Sequence, residues 1–420
     1  MQNLPGFRDF YPEDCARRNY ILAVWREAAR RYGFVEYDGP VLEPIELYQK
    51  KSGGELVGQL FDFVDKGGRH VALRPEMTPT LARMVATKER DFKKPLKWFC
   101  VPQFFRYEKP QRGRGREFYQ FNADIIGEAS PAADAELIAL AVDVLRGFGL
   151  TEKDFVVRLS SRTAWQDFFA AAGGNPEDEY EFFQIVDKAE RSAPEKTNAA
   201  LAKLSVTGLT AESIVTFMRS KTPGGLSPIL QNLQARGLGG FVEVDYAIVR
   251  GLAYYTGVVF EVFDRRKNER ALAGGGRYDR LLSLMSDGKV DLPALGFGLG
   301  DVVLTNLIED TAAAKAKRDA WIAQNLTADI YVVVAKEELR VHALAIVHQL
   351  RDAGLRVDFP LSETKLGKQF QAAEHLGAVL AVVIGDEWPQ VKIKTLATRE
   401  ETAVPNTGLA DWLRNRQKGS

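Results

Sequence analysis

Side chains that could hold a ligand with both anionic and cationic parts are concentrated between Phe104 and Gly127. Two strand-like runs flank a short, basic, glycine-containing loop, a pattern that predicts an antiparallel hairpin. Because side chains alternate across a strand, Arg106 and Glu108 share one face of the first run. One face of the second run carries Phe118, Gln120, Asn122 and Asp124. This mixture suits a ligand pocket, although a solvated sheet face with incidental charges would show the same pattern.

A second pair of candidate binding residues lies between a predicted strand and a predicted helix. Short paired strands are predicted over 61–63 and 70–73, and Arg74-Pro-Glu-Met-Thr78 leads from them into a helix that begins near Pro79. Glu76 and Thr78 therefore occupy a connection of the kind that often carries binding groups. The alternative for Thr78 is simple capping of the helix that follows.

Glycines recur in three later segments that also contain charged or aromatic residues. Residues 250–257 interrupt a β-rich run with two glycines, an arginine and paired tyrosines, and glycine inside a strand often marks a close backbone approach. Three consecutive glycines follow within 273–279. Residues 295–300 predict a glycine-rich turn that feeds a helix from Asp301, an arrangement typical of anion sites. The segment matches no nucleotide-binding fingerprint, and Asp301 at the helix start would disfavour a phosphate.

Composition limits the class of protein. The chain has 420 residues, which predicts two or three domains. Lys plus Arg and Asp plus Glu both number 56, so any contact with nucleic acid must use local patches. Two cysteines and four scattered histidines show no metal-ligand spacing, and we expect no metal site built from protein side chains. Neither a signal peptide nor a membrane span is recognisable, which favours a cytoplasmic protein without membrane contact.

The elements that must position these residues follow from hydrophobic periodicity. Helices are predicted over 12–32 and 132–148, strands over 34–40 and 155–159, and a helical insertion over about 163–242. An Ala/Lys-rich helix or linker over 312–325 precedes alternating strands and helices, which indicate an α/β domain with a mostly parallel core. Four lysines of that domain could form a local basic patch, or they could simply be solvated side chains: Lys365, Lys368, Lys392 and Lys394.

Together these stretches resemble the histidyl-tRNA synthetase family of class II aminoacyl-tRNA synthetases over essentially the full length. The three class II motifs have their likenesses in this chain at residues 34–40, 104–127 and 296–304. Two stretches that are more specific to the histidine enzymes have theirs at residues 250–261 and 273–280. The resemblance implies an α+β fold with an antiparallel sheet, flanking helices and a helical insertion. It further implies a catalytic domain over 1–325, an α/β anticodon-binding domain over 326–420, and a homodimer formed through the first motif.

The resemblance also implies ATP-dependent ligation of L-histidine to tRNA(His) through a histidyl-adenylate, with Mg²⁺ bound to the ATP. A carboxylate and a phosphate must meet in that reaction, so cations at the α-phosphate supply the catalysis without a protein nucleophile. The implied catalytic cations are Arg106 and Arg250. The implied ATP-binding residues are Arg106, Glu108, Arg114, Phe118, Arg250, Gly298 and Gly300.

Histidine binding and tRNA binding are assigned by the same resemblance. Glu76 and Thr78 would bind the α-amino group, and Arg112 and Arg114 would meet the acceptor end of the tRNA. The imidazole and its surroundings would be met by Gln120, Asp124, Tyr254 and Tyr255. The ligand would lie against the backbone at Gly274, Gly275 and Gly276.

The sequence departs from the family pattern in two places. The third motif usually carries an arginine beside the helix start, whereas the sequence here is Gly300-Asp301-Val302. Three arginines could replace it at ATP: Arg114, Arg277 and Arg280. Ala253 stands where many members have aspartate, and little effect is expected from that change.

Two other functions remain compatible with the motifs. A synthetase-like regulatory protein would bind histidine or a phosphoribosyltransferase without aminoacylation, and the missing third-motif arginine favours it. Such proteins typically lack the C-terminal domain, which is present here. A sister synthetase for proline, threonine or glycine would share the anticodon domain, but the Arg250–Gly257 stretch argues against it.

Overall fold

The computed structural model describes residues 2–49, 58–109, 113–204, 206, 208–249, 254–266 and 270–418. The chain divides into two compact units, Met1–Arg318 and Asp319–Ser420. Three residues of interest in the sequence lie outside the described part of the chain: Arg112, Arg250 and Ala253. Among the described residues, no helix combines the length and the apolar composition needed to cross a membrane.

The first unit is built on a large, mainly antiparallel sheet. Its strands and those of a smaller sheet are β1 (Val35–Glu36), β2 (Leu42–Pro44), β3 (Asp62–Val64), β4 (His70–Leu73), β5 (Leu96–Cys100), β6 (Gln103–Phe105), β7 (Glu117–Ile126), β8 (Phe155–Ser161), β9 (Val242–Val244), β10 (Val258–Asp264), β11 (Ala273–Arg277) and β12 (Ala294–Gly300). The large sheet has the order β1-β5-β7-β12-β11-β10-β8-β9, with β6 beside β7. Only its β1–β5 and β8–β9 pairs are parallel among the described residues. The smaller antiparallel sheet has the order β2-β4-β3.

Helices cover this sheet and form the insertion. They are α1 (Pro12–Arg31), α2 (Glu46–Gln49), α3 (Thr78–Thr87), α4 (Pro131–Gly147), α5 (Arg162–Ala171), α6 (Glu179–Ala189), α7 (Pro194–Leu201), α8 (Ala211–Arg219), α9 (Ser227–Ala235), α10 (Leu281–Met285), α11 (Asp301–Asp310) and α12 (Ala312–Leu326). The predicted helical insertion consists of α5 to α9, and its core includes stacked rings of Phe169 and Phe182. The boundary between the two units falls within α12.

The predicted hairpin is confirmed as β6 and β7, which pair antiparallel with Phe104 opposite Phe118. Its apolar face packs on α1, since the buried ring of Phe121 lies 6.0 Å from that of Trp25. Because successive side chains of a strand point to opposite faces, packing of one face leaves Gln120, Asn122 and Asp124 on the other face of the sheet. The polar face of β7 is thus held by a rigid, buried scaffold.

Two predicted elements differ from the sequence-based expectation. The strand expected over 34–40 is only two residues long as β1, because the chain turns away through Gly39 and Pro40. The glycine-rich turn expected over 295–300 is instead the central strand β12, which pairs with β7 on one side and β11 on the other. Both of its neighbours supply a full hydrogen-bonding ladder, and this pairing outweighs the weak strand propensity of glycine.

The second unit contains a five-stranded sheet with helices. Its strands are β13 (Ile330–Val334), β14 (Val357–Asp358), β15 (Leu380–Ile384), β16 (Gln390–Thr395) and β17 (Glu401–Pro405), in the order β14-β13-β15-β16-β17. Its helices are α13 (Arg340–Asp352), α14 (Leu366–His375) and α15 (Leu409–Lys418). The three strands expected from the sequence pair in parallel in the order β14-β13-β15, and β16 and β17 add two antiparallel pairs that were not expected. Val391 and Ile393 are buried and alternate with lysines, the pattern of an antiparallel strand with one covered face.

Candidate active site

The polar face of β7 lies opposite glycines of β12. Asp124, Asn122 and Gln120 pair in register with Gly296, Gly298 and Gly300. A Cβ atom added at Gly296 would overlap Asp124 Oδ1, and one at Gly298 would lie 2.7 Å from Gln120 Cδ. Glycine at these positions therefore leaves room for the polar side chains of β7 and for a ligand above the sheet.

Two adjoining cavities open on this face of the sheet. The first, here the Asp124 cavity, is lined by Glu76, Thr78, Arg106, Gln120, Asn122, Asp124, Tyr254, Tyr255, Gly274, Tyr278, Gly296, Phe297 and Gly298. The second, here the Arg114 cavity, is lined by Arg106, Glu108, Gly113, Arg114, Gly115, Phe118, Gln120, Ala271, Leu272, Ala273, Gly274, Gly298, Gly300, Asp301, Val302 and Val303. Four residues line both cavities: Arg106, Gln120, Gly274 and Gly298. Arg106 is the one charged residue among these four, so both cavities have access to its guanidinium.

Arg106 is held firmly at this junction. Its Nε donates to the carbonyl of Pro75 at 3.0 Å, and its guanidinium carbon lies 5.0 Å from the centroid of the Phe118 ring. Burial lowers the pKa of Arg106 from its usual value, while the carboxylates of Glu76 and Glu108 oppose that effect. The guanidinium remains a charged, partly desolvated donor, which is what stabilisation of a developing phosphate charge requires.

Asp124 has a hydroxyl partner that the sequence reasoning missed. The Tyr278 hydroxyl donates a hydrogen bond to Asp124 Oδ1, and both side chains are buried. Burial raises the pKa of Tyr278 well above its usual value, and the neighbouring Asp124 raises it further, so the phenol keeps its proton. Alternation along the strand β11 places residue 278 on the same face as residue 274, but the three consecutive glycines of 273–279 do not by themselves predict a strand.

The aromatic wall of the Asp124 cavity is formed by three tyrosines. The Tyr254 ring centroid lies 4.8 Å from that of Tyr255 and 6.0 Å from that of Tyr278. Glu76 and Thr78, from the start of α3, line the same cavity. The capping alternative for Thr78 is not supported, because Met77 occupies the N-cap position and no side chain caps the helix.

The Arg114 cavity combines charged side chains with exposed backbone. Glu108 is buried and forms an ion pair with Arg114, which is itself about half exposed, and Gly298 and Gly300 contribute bare backbone. Arg277, which could have replaced the missing arginine at ATP, is instead buried against Asp134, with Nη2 2.6 Å from Oδ2. Arg280 lines neither cavity. Among the three candidates, Arg114 alone faces this cavity.

Three further residues predicted from the sequence line neither cavity or lie outside the described part of the chain. Gly275 lines neither cavity, because it faces the neighbouring strand, where an added Cβ would lie 2.5 Å from Phe297 Cβ. Arg250 and Arg112 lie outside the described residues, so their roles stay predictions. No group of three or more His, Cys, Asp or Glu side chains that could hold a metal ion occurs in the part of the chain that the structure describes.

Comparison with known proteins gives one consistent result. A family model described as histidyl-tRNA synthetase matches residues 6–301, and a model described as an anticodon binding domain matches residues 329–416. The histidine–tRNA ligase of Opitutus terrae is 44% identical, with 99% of this chain and 98% of that protein covered. That of Thermoplasma volcanium is 36% identical, with 98% of each covered. The crystal structure of histidyl-tRNA synthetase from Nostoc sp. PCC 7120 has the same fold, with a TM-score of 0.77 at 24% identity and 99% of each chain covered.

Proposed function

The chain belongs to the histidyl-tRNA synthetase family, and from this premise we propose how its two cavities divide the work of the reaction. The protein is a histidine–tRNA ligase, an aminoacyl-tRNA synthetase that joins L-histidine to tRNA(His). The regulatory and sister-synthetase alternatives find no support in these full-length similarities. The assignment of residues to each step is our proposal.

Histidine occupies the Asp124 cavity in this proposal. The cavity offers two carboxylates, Glu76 and Asp124, and a ligand with an ammonium group and an imidazole N–H supplies donors for both. Tyr278 occupies one oxygen of Asp124 and so orients the carboxylate toward a ring N–H. Gln120, Tyr254 and Tyr255 complete the wall, and Thr78 adds an acceptor near the ammonium group. An amino acid without the ring donor could not make this hydrogen bond to the buried carboxylate, which is a basis for selection.

ATP occupies the Arg114 cavity. Phe118 offers a ring face for the adenine, Glu108 an acceptor for its amino group, and Arg114 a cation for the phosphates. Gly298 and Gly300 let the nucleotide lie against the backbone. Mg²⁺ enters as part of the substrate, bound to the phosphate oxygens of ATP.

The observation that carries the proposal is that the two cavities share Arg106. A histidine carboxylate and an α-phosphate bound on either side of this residue would both be within its reach. Its guanidinium stabilises the negative charge that gathers at the α-phosphate as the carboxylate attacks and pyrophosphate leaves. Arg250 is proposed as the second cation of this step by family resemblance.

Binding of tRNA and of a second subunit completes the proposal. Arg112 and Arg114, in the loop between β6 and β7, meet the acceptor end through phosphate contacts. The second unit recognises the anticodon, in keeping with the family model that matches it. A homodimer forms through the first motif, where Val35 of β1 is 63% exposed and would be covered by the second subunit.

Exchange between ATP and pyrophosphate tests the proposal. The parent chain should exchange with L-histidine and not with proline, threonine or glycine. Arg106→Ala should lower the exchange rate by about two to three orders of magnitude, the effect expected for loss of a preorganised charge stabiliser. Arg17→Ala, at an exposed arginine of α1, is the matched control. Exchange by Arg106→Ala at the control rate would refute the role of this residue.

A further inference from the structure

The segment before α1 is packed against the hairpin next to the Arg114 cavity. The Gly6 carbonyl accepts a hydrogen bond from the Arg116 backbone N–H at 2.8 Å. The Phe7 ring centroid lies 6.4 Å from that of Phe105 in β6. These contacts hold the segment beside β6 and β7, and Arg8 follows directly after it.

Arg8 bridges two buried carboxylates. Its Nε lies 2.6 Å from Glu117 Oε1, and its Nη1 lies 3.0 Å from Asp301 Oδ2. Glu117 and Asp301 are only 2% and 3% exposed. Gln103 Nε2 donates to the second oxygen of Glu117 at 2.6 Å, and the Tyr119 backbone N–H donates to Asp301 Oδ1 at 3.1 Å. We refer to Arg8, Glu117 and Asp301 as the charge trio.

The charge trio borders the cavity that we assign to ATP. Asp301 begins α11 and lines the Arg114 cavity directly, at the place where a phosphate would otherwise be favoured by the helix start. Burial is the largest influence on the pKa of Asp301 and raises it to about 6, so the carboxyl is ionised at neutral pH. One arginine and two carboxylates leave one net negative charge beside the nucleotide, and Arg8 both offsets one carboxylate charge and lowers the pKa of Asp301.

We propose that Arg8 is a positioning residue for ATP. The positive charge of Arg8 partly offsets the negative charge of the Glu117–Asp301 pair at the edge of the nucleotide cavity. The inference rests on the proposed placement of ATP in the Arg114 cavity. It also accounts for an aspartate at a helix start that faces a polyanionic substrate, since the aspartate is bound to a cation that comes from a distant part of the chain. Arg8 acts through Asp301 and Glu117, and it does not line the cavity itself.

The test varies the net charge of the trio and measures the KM for ATP in histidine-dependent exchange. Because Arg8 lowers the pKa of Asp301, the variants are compared at a pH well above neutral, where ionisation of Asp301 is most complete. There, Arg8→Met makes the trio more negative by one charge and should raise the KM for ATP about tenfold, while the KM for histidine changes less than about twofold. Asp301→Asn makes the trio neutral and should lower the KM for ATP. The double variant, Arg8→Met with Asp301→Asn, restores the parent net charge and should bring the KM for ATP within about threefold of the parent value. Arg17→Met is the matched arginine control.

A purely structural role for Arg8 predicts a different ranking of the three variants by their KM for ATP. Loss of the Arg8–Asp301 ion pair would then impair all three variants, and the double variant would be no better than Arg8→Met. That result, or a higher KM for ATP in Asp301→Asn, would overturn the inference. The Asp301→Asn measurement alone decides the question if circular dichroism shows that Arg8→Met does not fold. A parent chain without histidine-dependent exchange would instead remove the proposed function, and this inference with it.

Discussion

Selection of the amino acid depends, in the proposed arrangement, on the Asp124 carboxylate and the hydroxyl that orients it. The carboxylate alone would be an acceptor of uncertain direction, whereas the hydrogen bond from the Tyr278 hydroxyl to Oδ1 fixes its orientation. Buried polar groups of this kind give specificity because the wrong ligand leaves them unpaired.

Asp124→Ala should raise the KM for histidine more than about tenfold and leave the KM for ATP nearly unchanged, since the imidazole N–H loses its acceptor. Tyr278→Phe should have a smaller effect in the same direction, because the carboxylate remains but is less well oriented. Exchange kinetics at varied histidine and varied ATP separate the two constants. An equal rise in both constants for Asp124→Ala would place the residue outside the histidine site.

Asp301 should make the stability of the first unit depend on pH. Burial raises its pKa from 3.8 to about 6, although Arg8 opposes this effect. A carboxyl with a higher pKa in the folded than in the unfolded state stabilises the fold below about pH 4, and this contribution is lost as the pH rises through about 6.

The free energy of unfolding of the parent, relative to that of Asp301→Asn, should therefore fall by about 3 kcal/mol between about pH 4 and pH 7. Contributions from groups that do not interact with Asp301 cancel in this difference, which therefore reports Asp301 together with its neighbours Arg8 and Glu117. Denaturant titrations of both proteins at several pH values give the difference directly. A difference that does not change with pH would contradict the buried, ionisable state of Asp301.

Among the elements, the connection between β4 and α3 joins the first motif to the catalytic hairpin. Arg74 is buried there and donates from Nη1 to Asp38 Oδ1 at 2.7 Å and to the Gly39 carbonyl at 2.8 Å. Its Nε donates to the Gln103 carbonyl at 3.1 Å. The next residue, Pro75, supplies the carbonyl that holds Arg106. The Arg74 guanidinium therefore joins two separate segments, at 38–39 and at Gln103, to the residue that precedes Pro75.

Arg74→Met should lower the exchange kcat more than it changes either KM, because Arg106 loses its fixed position while the cavities keep their walls. It should also lower the free energy of unfolding by about 1 to 3 kcal/mol, since three acceptors lose a charged donor. Arg74→Lys should recover only part of the activity, because a single ammonium cannot reproduce the fork of a guanidinium. A full recovery of kcat by lysine would show that only the charge matters, and Arg17→Met again serves as the control.

The whole molecule consists of two units with different tasks in the proposal. Adenylate formation uses residues that all lie in the first unit, whereas anticodon recognition is assigned to the second. The described part of the second unit has its own core around Val332, Ile346 and Val382.

A fragment that ends at Leu326, after α12, should keep histidine-dependent exchange and lose most charging of tRNA. The physical reason is that anticodon contacts contribute to binding of the tRNA and not to activation of histidine. Sedimentation and circular dichroism must first show that the fragment is folded, and the full-length chain is the control. Charging of tRNA by the folded fragment at the full-length rate would refute the anticodon role of the second unit.

The sequence by itself determined those features that depend on local periodicity. Alternation along 118–124 placed Gln120, Asn122 and Asp124 on one face, and the motifs identified the family, because both depend only on residue order. The strand pairing did not follow from the sequence, since the glycines of 295–300 are compatible with a turn and only two neighbouring strands make them a strand.

Only the tertiary structure decided which distant residues meet. Tyr278 reaches Asp124 from 154 positions away, and Arg8 reaches Glu117 from 109 positions away. Arg277, an equally plausible cation in the sequence, is buried against Asp134. Such contacts depend on sheet order and register, which bring separate strands and segments together, and no local pattern contains that information.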